Sequence, residues 1–484
     1  METEHGQSEV RAQRLANMEK LQEKGYRPFG HAFARTGRLA EVHAGFEEGK
    51  AVSVAGRLTA IRSMGKSTFA DLRDGTGRLQ VYVQRNHIGD DAFDAFSLLD
   101  LGDHVGIEGS LFTTKMGEQT VKVNKWVMLS KALLPLPEKW HGLKDVDARY
   151  RERYLDLIAN PPVRETFNTR IRVVEEVRRF LTGKGFSEVE TPMMQSLAGG
   201  AAARPFATHY AALDATMYLR ISPELYLKRL LVGGFDKVFE MNRNFRNEGL
   251  SRTHNPEFTM LEVYEAFSDV QGMKQLVQGL ILHAAQTVMG TLKVGSESAA
   301  VDLTPPWREA TYRDLVREHM GSDWYELPLA QAKAKLEALG HPAAPEWGML
   351  EVTHEVYEKK IERSLQNPTF VTRIPAPLIP LAKRCEDDPE VVDVFELVIG
   401  GKEIAPGYSE LNDPLEQRRR FEQQVGEEAH KMDEEFVLAL EHGMPPAGGM
   451  GLGIDRLVMV LTGAETIRDV ILFPQLKPRK SIQE

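Results

Sequence analysis

The sequence of 484 residues contains a single cysteine, Cys385. One thiol cannot form a disulfide within the chain, and it excludes a zinc site built from several thiolates. No apolar run approaches the roughly 20 residues that span a bilayer, so a membrane helix is not expected. The first residues, METEHGQSEV, are acidic and polar, whereas a secretory signal begins basic and continues apolar. These absences predict a soluble cytoplasmic protein.

The sequence also lacks an excess of basic residues. It has 60 Lys and Arg against 70 Asp and Glu, which gives a formal net charge of −10. A protein that coats nucleic acid through the phosphates is basic, so any contact with nucleic acid must come from a local patch. With 42% hydrophobic and 27% charged residues, the composition excludes a wholly disordered, collagen-like or coiled-coil chain. At roughly 150 residues per domain, the length predicts about three domains.

The first third of the chain is predicted to hold a helix and then a β-rich domain. Residues 1–50 predict an N-terminal helix and a lead-in, and short alternating β-rich runs follow over residues 51–134. About five strands fit there, with a tight turn at residues 74–77 (DGTG) and no helix long enough to cross over. This pattern predicts a small antiparallel barrel of the OB type. Two prolines in LLPLPEKWHG then predict a linker over residues 135–160.

Helices and strands alternate over residues 161–484. A helix near the start of this region is predicted to bury one apolar face, formed by Val163, Phe167, Ile171, Val174 and Leu181. A second helix is predicted from apolar residues at i, i+3, i+4, i+7 and i+8, which are Met273, Leu276, Val277, Leu280 and Ile281. Helical segments dominate at about residues 306–369, and we interpret this stretch as an insertion within the larger domain.

Two glycine-containing segments do not predict nucleotide binding. Gly65-Lys66-Ser67 is similar to the end of a P-loop, but Ala60 stands where the first glycine belongs, so a hairpin turn is the simpler interpretation. The glycines of GGMGLGIDR lack the G-x-G-x-x-G spacing and a surrounding βαβ unit.

Residues 239–269 place charged residues within two β-rich runs joined by the loop GLSRTHNP. A charge on a buried strand is costly unless it pairs with another charge or with a ligand. The charge pattern alone leaves two interpretations open, a strand–loop–strand with an ion-paired solvent face and a buried site for a charged ligand. The charged residues are Arg243, Arg246, Arg252, Glu240, Glu248, Glu257, Glu262 and Glu265.

This segment and two others are similar to the three signature motifs of the class II aminoacyl-tRNA synthetases. FSEVETPMM resembles motif 1, the dimer-interface strand, FRNEGLSRTHNPEFTMLE resembles motif 2, and GMGLGIDRLVMVL resembles motif 3. GGAAARPF, RISPELYLKRL, GYSELNDP and RDVILFPQLKP resemble segments of the lysyl-tRNA synthetases within that class. The resemblance implies an α+β multidomain fold, with an N-terminal OB-fold β-barrel and a class II catalytic domain built on an antiparallel β-sheet flanked by helices.

The resemblance implies a ligase that activates lysine with ATP as lysyl-adenylate and passes it to the 3′-terminal ribose of tRNA(Lys). The attacking carboxylate is ionised at pH 7, so the first step needs alignment and cancellation of phosphate charge rather than a general base. Planar guanidinium groups suit phosphate oxygens. By motif position, Arg246 and Arg456 are the implied catalytic residues, and Arg456 starts a helix whose dipole also favours anions.

The motifs also imply a nucleotide site. Phe258 would stack on adenine, Glu248 would accept from the adenine amino group, and His254 with Asn255 would contact the triphosphate or the ribose. The implied ATP-binding residues are Arg246, Glu248, His254, Asn255, Phe258, Glu403 and Arg456.

The family binds Mg²⁺ on two carboxylates, and the corresponding residues here are Glu396 and Glu403, on either side of a Gly-Gly turn. Hard oxygen ligands of this kind suit Mg²⁺. Without the resemblance, two glutamates at this spacing would be interpreted as surface residues.

Lysine would bring two ammonium groups into a dehydrated pocket, and each needs a carboxylate. By family position Glu224 would face the α-ammonium, and Glu262 and Glu410 would face the ε-ammonium. The related enzymes for aspartate and asparagine should carry cationic or amide groups at these two positions. Pro406 stands where most relatives carry an asparagine, so one polar contact with the substrate carboxylate is not expected. The implied lysine-binding residues are Gly200, Glu224, Arg246, Glu262, Tyr264, Tyr408 and Glu410.

Basic residues outnumber acidic ones in two stretches of the predicted barrel, residues 61–85 and 115–131. Single-stranded bases are read by aromatic stacking and by hydrogen bonds to their edges. The implied partners are tRNA(Lys) and, as a homodimer, a second copy of the chain. Phe69 also fits a simpler interpretation as a residue of the barrel core. The residues similar to the family's anticodon readers, centred on the middle U, are Arg62, Phe69, Gln80 and Glu118.

Two other functions stay open within this resemblance. A lysyl-type paralog that modifies a protein typically lacks the barrel, whereas this sequence is predicted to contain one. A catalytically inactive, RNA-binding relative would be expected to have lost Arg246 or Arg456, and both are present. The residues therefore favour an active enzyme that charges tRNA.

Overall fold

The computed structural model describes residues 2–137, 143–201, 203–296, 299–425 and 433–478. The chain divides into two compact units, residues 1–144 and 145–484, and each has its own hydrophobic core. No helix within the described ranges is long and apolar enough to cross a membrane. Parts of the predicted segments lie outside the described residues. These are residue 1 of the N-terminal segment, residues 138–142 of the linker, and residues 202, 297–298, 426–432 and 479–484 of the catalytic domain.

The first unit contains a closed five-stranded barrel among its described residues, preceded by the helices α1 (Glu2–Glu23) and α2 (Leu39–Ala44). The strands are β1 (Ala51–Met64), β2 (Ser67–Arg73), β3 (Arg78–Gln84), β4 (His104–Thr113) and β5 (Gln119–Ser130). They close in the order β1-β2-β3-β5-β4. Alternate residues such as Val52, Val54 and Leu58 are buried, and a turn at residues 74–77 joins β2 to β3. The predicted OB-type barrel is confirmed.

Two expectations for the barrel are wrong. Its strands are not all antiparallel, because β3 pairs with β5 in parallel, with Gln80 opposite Thr120. The chain also forms two short helices between β3 and β4, α3 (Arg85–Ile88) and α4 (Asp90–Phe96), where no crossing helix was expected. Phe93 and Phe96 of α4 are buried in the barrel core. A parallel pair needs such a crossover connection, which short-range alternation along the sequence does not reveal.

The second unit alternates strands and helices. Its strands are β6 (Ser187–Glu188), β7 (Met194–Gln195), β8 (Ala207–Tyr210), β9 (Ala215–Leu219), β10 (Lys237–Phe245), β11 (Glu257–Ala266), β12 (Lys293–Ser296), β13 (Ala299–Asp302), β14 (Arg308–Thr311), β15 (Thr369–Thr372), β16 (Val394–Ile399), β17 (Lys402–Ser409) and β18 (Ala447–Gly453). Its helices are α5 (Val146–Arg151), α6 (Arg153–Ala159), α7 (Pro161–Gly183), α8 (Glu224–Val232), α9 (Val270–Ala284), α10 (Tyr312–Met320), α11 (Leu329–Ala338), α12 (Met349–Val356), α13 (Glu362–Ser364), α14 (Pro414–Val425), α15 (Glu434–Glu441), α16 (Ile454–Thr462) and α17 (Ile467–Val470).

A large sheet dominates this unit. Among the described residues eight strands form it, in the order β14-β15-β16-β17-β18-β11-β10-β6. The neighbours pair antiparallel except at the two edges, where β14 with β15 and β10 with β6 are parallel. Buried residues of α7, α9 and α16 pack on this sheet in a single core that includes Val177, Val277 and Leu457. The predicted antiparallel sheet flanked by helices is confirmed.

The two predicted helices of this unit form as α7 and α9, but one predicted face is wrong. Ile171 of α7 is 63% exposed, and the buried residues of this helix include Phe167, Val173, Val177 and Leu181. Apolar residues occur on more than one side of α7, so the periodicity alone did not decide which side faces the core. All five predicted core positions of α9 are buried, and the helical segment ends at Gly290.

The predicted linker is wrong over residues 145–160, which form α5 and α6 in the second unit. Arg153 and Asp156 are completely buried there, and Arg153 Nη1 donates to Asp156 Oδ2 over 2.5 Å. The two prolines before this stretch indicated a break in regular structure, but they do not show that the chain becomes helical again after them and buries a charged pair. The predicted helical insertion is also narrower than residues 306–369, because β14 and β15 at its two ends belong to the large sheet.

Candidate active site and nucleic-acid interface

A cavity of about 1060 Å³ lies in the second unit, lined by residues of β11, β17, β18, the start of α8 and the loop after β10. It brings together the residues predicted from motifs that are far apart in the sequence. The predicted ATP-binding, lysine-binding and metal-binding residues that line it are Gly200, Glu224, Arg246, Glu248, His254, Asn255, Phe258, Glu262, Tyr264, Glu396, Glu403, Tyr408, Glu410 and Arg456. Their individual roles remain predictions.

One end of the cavity is acidic and almost completely buried. Glu262 of β11 is 3% exposed and Glu410, which follows β17, is 0% exposed. Ser222 Oγ donates to Glu262 Oε1 over 2.9 Å, and the Tyr264 hydroxyl donates to Glu262 Oε2 over 3.0 Å. Glu410 Oε1 has no hydrogen-bond donor among the described residues, so it is available to a donor that enters the cavity.

The absence of a side chain at Gly449 lets these acidic groups converge. A Cβ atom added to Gly449 would lie 1.9 Å from Glu410 Oε1 and 2.5 Å from Cε1 of Tyr264. Gly449 is opposite Tyr264 in the β11–β18 pairing. The Tyr264 ring, whose hydroxyl binds Glu262, and the Glu410 carboxylate therefore both pack against Gly449. Any larger residue at position 449 would displace one of them.

The electrostatics of this end favour a cation. Burial, followed by the nearby Glu224 carboxylate, raises the pKa of Glu262 to about 8. Burial also raises the pKa of Glu410 to about 7, although the Lys228 ammonium acts in the opposite direction. An ammonium group that enters the cavity would stabilise the ionised carboxylates and lower both pKa values.

The sequence reasoning missed a buried cation at this end. Lys228 Nζ lies 2.7 Å from Glu224 Oε1 and 2.5 Å from Glu410 Oε2, and the Lys228 side chain is completely buried. The signal in the sequence was weak, because Glu224 and Lys228 are four residues apart on α8, a spacing that usually indicates a surface ion pair.

The other end of the cavity carries the two predicted catalytic arginines. Arg246 is the first residue of the loop after β10. Its backbone N donates to the Pro256 carbonyl over 2.8 Å, and this hydrogen bond closes the loop. The Arg246 guanidinium carbon lies 5.2 Å from the centre of the Phe258 ring, so the charge is placed over an aromatic face. Arg246 Nε is buried and has no partner among the described residues.

Arg456 lies in the first turn of α16, directly after the glycine-rich strand β18. Its Nη1 donates to the Glu403 carbonyl oxygen over 2.7 Å, and its Nη2 lies 3.2 Å from His254 Nε2. Burial and then the Arg456 charge lower the pKa of His254, so the neutral ring can accept this hydrogen bond. A guanidinium at a helix N-terminus is well suited to bind phosphate.

Asn255 has a structural role in the same loop. Its Nδ2 donates to the Glu257 carbonyl over 2.6 Å, and its Oδ1 accepts from the Gln475 backbone N over 3.2 Å. These bonds hold the loop against the following strand and against the segment after α17. A direct contact between Asn255 and a nucleotide remains a prediction.

The two predicted metal ligands lie on adjacent strands that are joined by a Gly-Gly turn with positive φ values of 61° and 67°. They are not opposite each other, because Glu396 pairs with Pro406 and Glu403 pairs with Val398. A third carboxylate was missed, since Glu362 Oε1 accepts from the Glu403 backbone N over 2.8 Å.

This cluster of carboxylates is strained by mutual repulsion. Burial and then the charges of Glu403 and Glu362 raise the pKa of Glu396 well above its usual range, and burial with the Glu403 charge raises the pKa of Glu362 to about 7. Within the described ranges no three His, Cys, Asp or Glu side chains are arranged to hold a metal ion by themselves. Two carboxylates still fit Mg²⁺, because this ion is usually held by one or two carboxylates together with substrate phosphates and water.

In the barrel, the predicted anticodon readers occupy neighbouring strands. Arg62 of β1 is opposite Phe69 of β2, and Gln80 of β3 is opposite Asp71 of β2. Phe69 is partly exposed between the buried residues Thr68 and Ala70, so the interpretation of Phe69 as a core residue is wrong.

An aromatic row extends from Phe69. The Phe69 and Tyr82 ring centres are 4.7 Å apart, and those of Tyr82 and Phe112 are 5.9 Å apart. Tyr82 and Phe112 were missed, although their alternating positions on β3 and β4 could have indicated them. Such a row is the kind of surface on which unpaired bases stack.

The charges beside this row are less free than the sequence suggested. Arg62 Nη2 and Arg78 Nη1 donate to the buried carboxylate of Asp71 over 3.1 and 3.2 Å, and Arg78 also pairs with Glu118. The basic stretch at residues 61–85 is therefore partly neutralised by its own acids. The Thr120 hydroxyl donates to Gln80 Oε1 over 2.9 Å, which leaves the Gln80 amide nitrogen for a base edge.

Comparisons with known proteins agree with this geometry. A family profile described as "tRNA synthetases class II (D, K and N)" matches residues 145–477, and one described as "OB-fold nucleic acid binding domain" matches residues 52–129. A relative named Lysine–tRNA ligase from Pelotomaculum thermopropionicum is 51% identical over 97% of this chain and 95% of its own length. Relatives of the same name from Carboxydothermus hydrogenoformans and Moorella thermoacetica are each 50% identical, over 96% and 98% of this chain and 97% and 99% of their own lengths.

The family profile covers more than half of the chain, and these relatives align along nearly all of it. The chain therefore belongs to the class II tRNA synthetases of the group for aspartate, lysine and asparagine (D, K and N).

Proposed function

We propose that this chain is a lysine–tRNA ligase that forms lysyl-adenylate from lysine and ATP and transfers lysine to tRNA(Lys). The observation that carries the proposal is the convergence of Glu262 and Glu410, both buried, on one end of a cavity whose other end holds Arg246 and Arg456. Aspartate and asparagine have no side-chain ammonium to place beside Glu262 or beside Glu410 Oε1, the carboxylate oxygen that faces away from Lys228 in the Lys228–Glu410 pair. The names of relatives about 50% identical over nearly the whole chain support the same substrate.

The first step joins the lysine carboxylate to the α-phosphorus of ATP and breaks the bond to pyrophosphate. No side chain has to remove a proton, because the carboxylate is ionised at pH 7. Arg246 would bind the carboxylate and the α-phosphate, and Arg456 would bind the terminal phosphate. Preorganised charges in a water-poor site are worth more than the same charges in water, so both arginines favour the transition state.

Enzymes of this family generally use ATP and Mg²⁺. Glu396 and Glu403 are the residues that would hold Mg²⁺ here, and the ion would supply further neutralisation of the phosphates. The raised pKa of Glu396 fits this role, since a bound cation would relieve the repulsion from its neighbours.

In the second step the 3′-terminal ribose hydroxyl of tRNA(Lys) attacks the adenylate carbonyl, and AMP leaves. Arg62, Phe69, Gln80 and Glu118 of the barrel would read the anticodon. A homodimer is also proposed, since β6 is an edge strand of the large sheet and Ile171 of the neighbouring helix α7 is 63% exposed.

Lysine-dependent exchange of pyrophosphate into ATP, compared with aspartate and asparagine, tests the first step. Charging of purified tRNA(Lys) then tests the second step. A protein-modifying paralog would exchange with lysine but would not charge tRNA, and an inactive relative would do neither. Exchange with aspartate or asparagine instead of lysine would overturn the proposal.

A further inference from the structure

Lys228 is a buried cation that neither proposed step uses. It is not among the residues that line the cavity. Its Nζ lies 2.7 Å from Glu224 Oε1 and 2.5 Å from Glu410 Oε2, and both of these carboxylates belong to residues that line the cavity. Burial alone would lower the pKa of Lys228, but the charges of Glu224 and Glu410 outweigh burial and raise this pKa above its usual value. Lys228 is therefore cationic at every pH at which the enzyme would work.

The charges at this end of the cavity can be counted. Three buried carboxylates, Glu224, Glu262 and Glu410, and the one ammonium of Lys228 carry a formal net charge of −2 when all are ionised. The substrate lysine brings two ammonium groups, and its carboxylate is directed to Arg246. The count matches only if Lys228 is included.

Four further ionisable groups near this end do not change the count. Asp433, which also lines the cavity, forms an ion pair with Arg229 over 2.9 Å. Glu240 of β10 is buried but pairs with Arg220, with Arg220 Nη1 2.6 Å from Glu240 Oε1. Burial raises the pKa of Tyr264 on β11 and of Tyr408 on β17 well above the usual range, so both hydroxyls stay neutral.

We propose that Lys228 is a positioning residue that holds Glu224 and Glu410 in place. It also sets the net charge of the lysine pocket to the value that the two ammonium groups of one substrate lysine neutralise. This inference rests on the proposed function. Without Lys228 the three carboxylates would exceed the two ammonium groups of the substrate, and repulsion would drive a proton onto one of them. Glu410 is the carboxylate that would take it, because its pKa is already raised to about 7 with Lys228 in place and would rise further without the ammonium 2.5 Å away.

The structure predicts a defect of lysine binding that depends on pH. In Lys228→Met, protonated Glu410 would no longer serve the ε-ammonium near neutral pH. The KM for lysine in pyrophosphate exchange should rise by about tenfold or more at pH 7.5, as for a buried charge that loses its partner. The deficit should shrink as the pH is raised, because deprotonation of Glu410 restores a partner for the ε-ammonium. The KM for ATP should change by less than about twofold, because Lys228 does not reach the phosphate end.

Three variants make the test specific. Lys228→Arg keeps the charge and should recover part of the lost affinity. Lys274→Met is the matched control, since Lys274 is another buried lysine in an ion pair, 2.7 Å from Glu309 and away from the cavity lining. The double variant Lys228→Met/Glu410→Gln removes one charge of each sign and restores the count, so it should bind lysine no worse than Glu410→Gln alone.

The outcomes separate this inference from the proposed function. If the unsubstituted protein does not exchange with lysine, the proposed function fails. If it does exchange, the inference is overturned when Lys228→Met raises the KM values for lysine and ATP equally at every pH, or leaves both unchanged. It is also overturned when the losses of the two single variants multiply in the double variant, because that result indicates packing rather than charge balance.

Discussion

The guanidinium Nη1 of Arg456 donates to the backbone carbonyl of Glu403 over 2.7 Å, while the Glu403 carboxylate lies 3.7 Å from the same nitrogen. Arg456, which is predicted to bind phosphate, is thus held in place by Glu403, which is predicted to bind the metal ion. The contact joins β17 to the first turn of α16, and both residues line the cavity. Metal ion, phosphates and arginine would therefore act as one unit.

Arg456→Lys tests the role of the planar guanidinium. Lysine keeps the charge but loses the fork that can bind a carbonyl and a phosphate together. We expect the kcat/KM for ATP to fall by about 100-fold or more in pyrophosphate exchange, with a smaller change in the KM for lysine. Arg252→Lys is the matched control, because Arg252 is an exposed arginine of the same region that pairs with Glu465. Equal losses for the two variants would contradict the assignment.

Glu396→Gln tests the metal site. The substitution keeps the shape of the side chain but removes a negative oxygen ligand, so the Mg²⁺ concentration for half-maximal exchange should rise by about tenfold or more. The same change at the exposed Glu390 should have no such effect. A Mg²⁺ titration at saturating ATP and lysine measures this, and an unchanged midpoint in Glu396→Gln would rule out Glu396 as a ligand.

The raised pKa of Glu262 predicts a pH dependence of lysine binding. Lysine would bind the ionised carboxylate, whose pKa in the empty pocket is about 8, so binding releases a proton. The KM for lysine should therefore fall as the pH rises from 6 to 8, by up to about tenfold per unit for each proton released, and the KM for ATP should stay flat. A lysine KM that increases over this range would refute the pKa assignment.

The same pKa also predicts an effect on stability. A carboxyl whose folded pKa is raised contributes stability that is fully present below its unfolded pKa of about 4.5 and is lost as the pH rises through about 8. Lysine, by pairing with the ionised carboxylate, should offset that loss. The increase in melting temperature at saturating lysine should accordingly be larger at pH 8 than at pH 6, measured by differential scanning fluorimetry.

Phe69→Ala tests the barrel as the anticodon-binding surface. Base stacking on an aromatic ring contributes about 1–3 kcal/mol, so the KM for tRNA(Lys) should rise by about tenfold or more. Pyrophosphate exchange does not require tRNA and should be unchanged. Phe29→Ala provides a control, since Phe29 is an aromatic residue of the same unit that is 59% exposed. Unchanged charging by Phe69→Ala would place the anticodon elsewhere.

The features predicted from sequence were those with short-range or contiguous signals. The β-rich barrel and helix α9 follow from periodicity. Many of the predicted cavity residues lie in motifs 2 and 3 or in shorter segments similar to the lysyl-tRNA synthetases, and each of these can be recognised as an unbroken segment. Glu262 and Glu410 line one cavity, and each lies in a segment similar to the family, whereas their role in binding lysine stays a prediction.

The features that were missed depend on packing between distant parts of the chain. Lys228 looks like an ordinary partner of Glu224 on a helix until Glu410 is packed against it. Glu362 joins Glu396 and Glu403 only because the helical segment before β15 folds back toward the turn between β16 and β17. The parallel pairing of β3 with β5 likewise cannot be recognised from the residues of either strand alone.

The most direct test of the proposed specificity is the steady-state kinetics of Glu262→Gln in pyrophosphate exchange, with lysine and ATP each varied. Removing one partner of a buried ion pair costs about 3–5 kcal/mol, so kcat/KM for lysine should fall by roughly two to four orders of magnitude. The KM for ATP should stay close to that of the unsubstituted protein. An equal loss for lysine and ATP would contradict the assignment of Glu262 to the substrate ammonium.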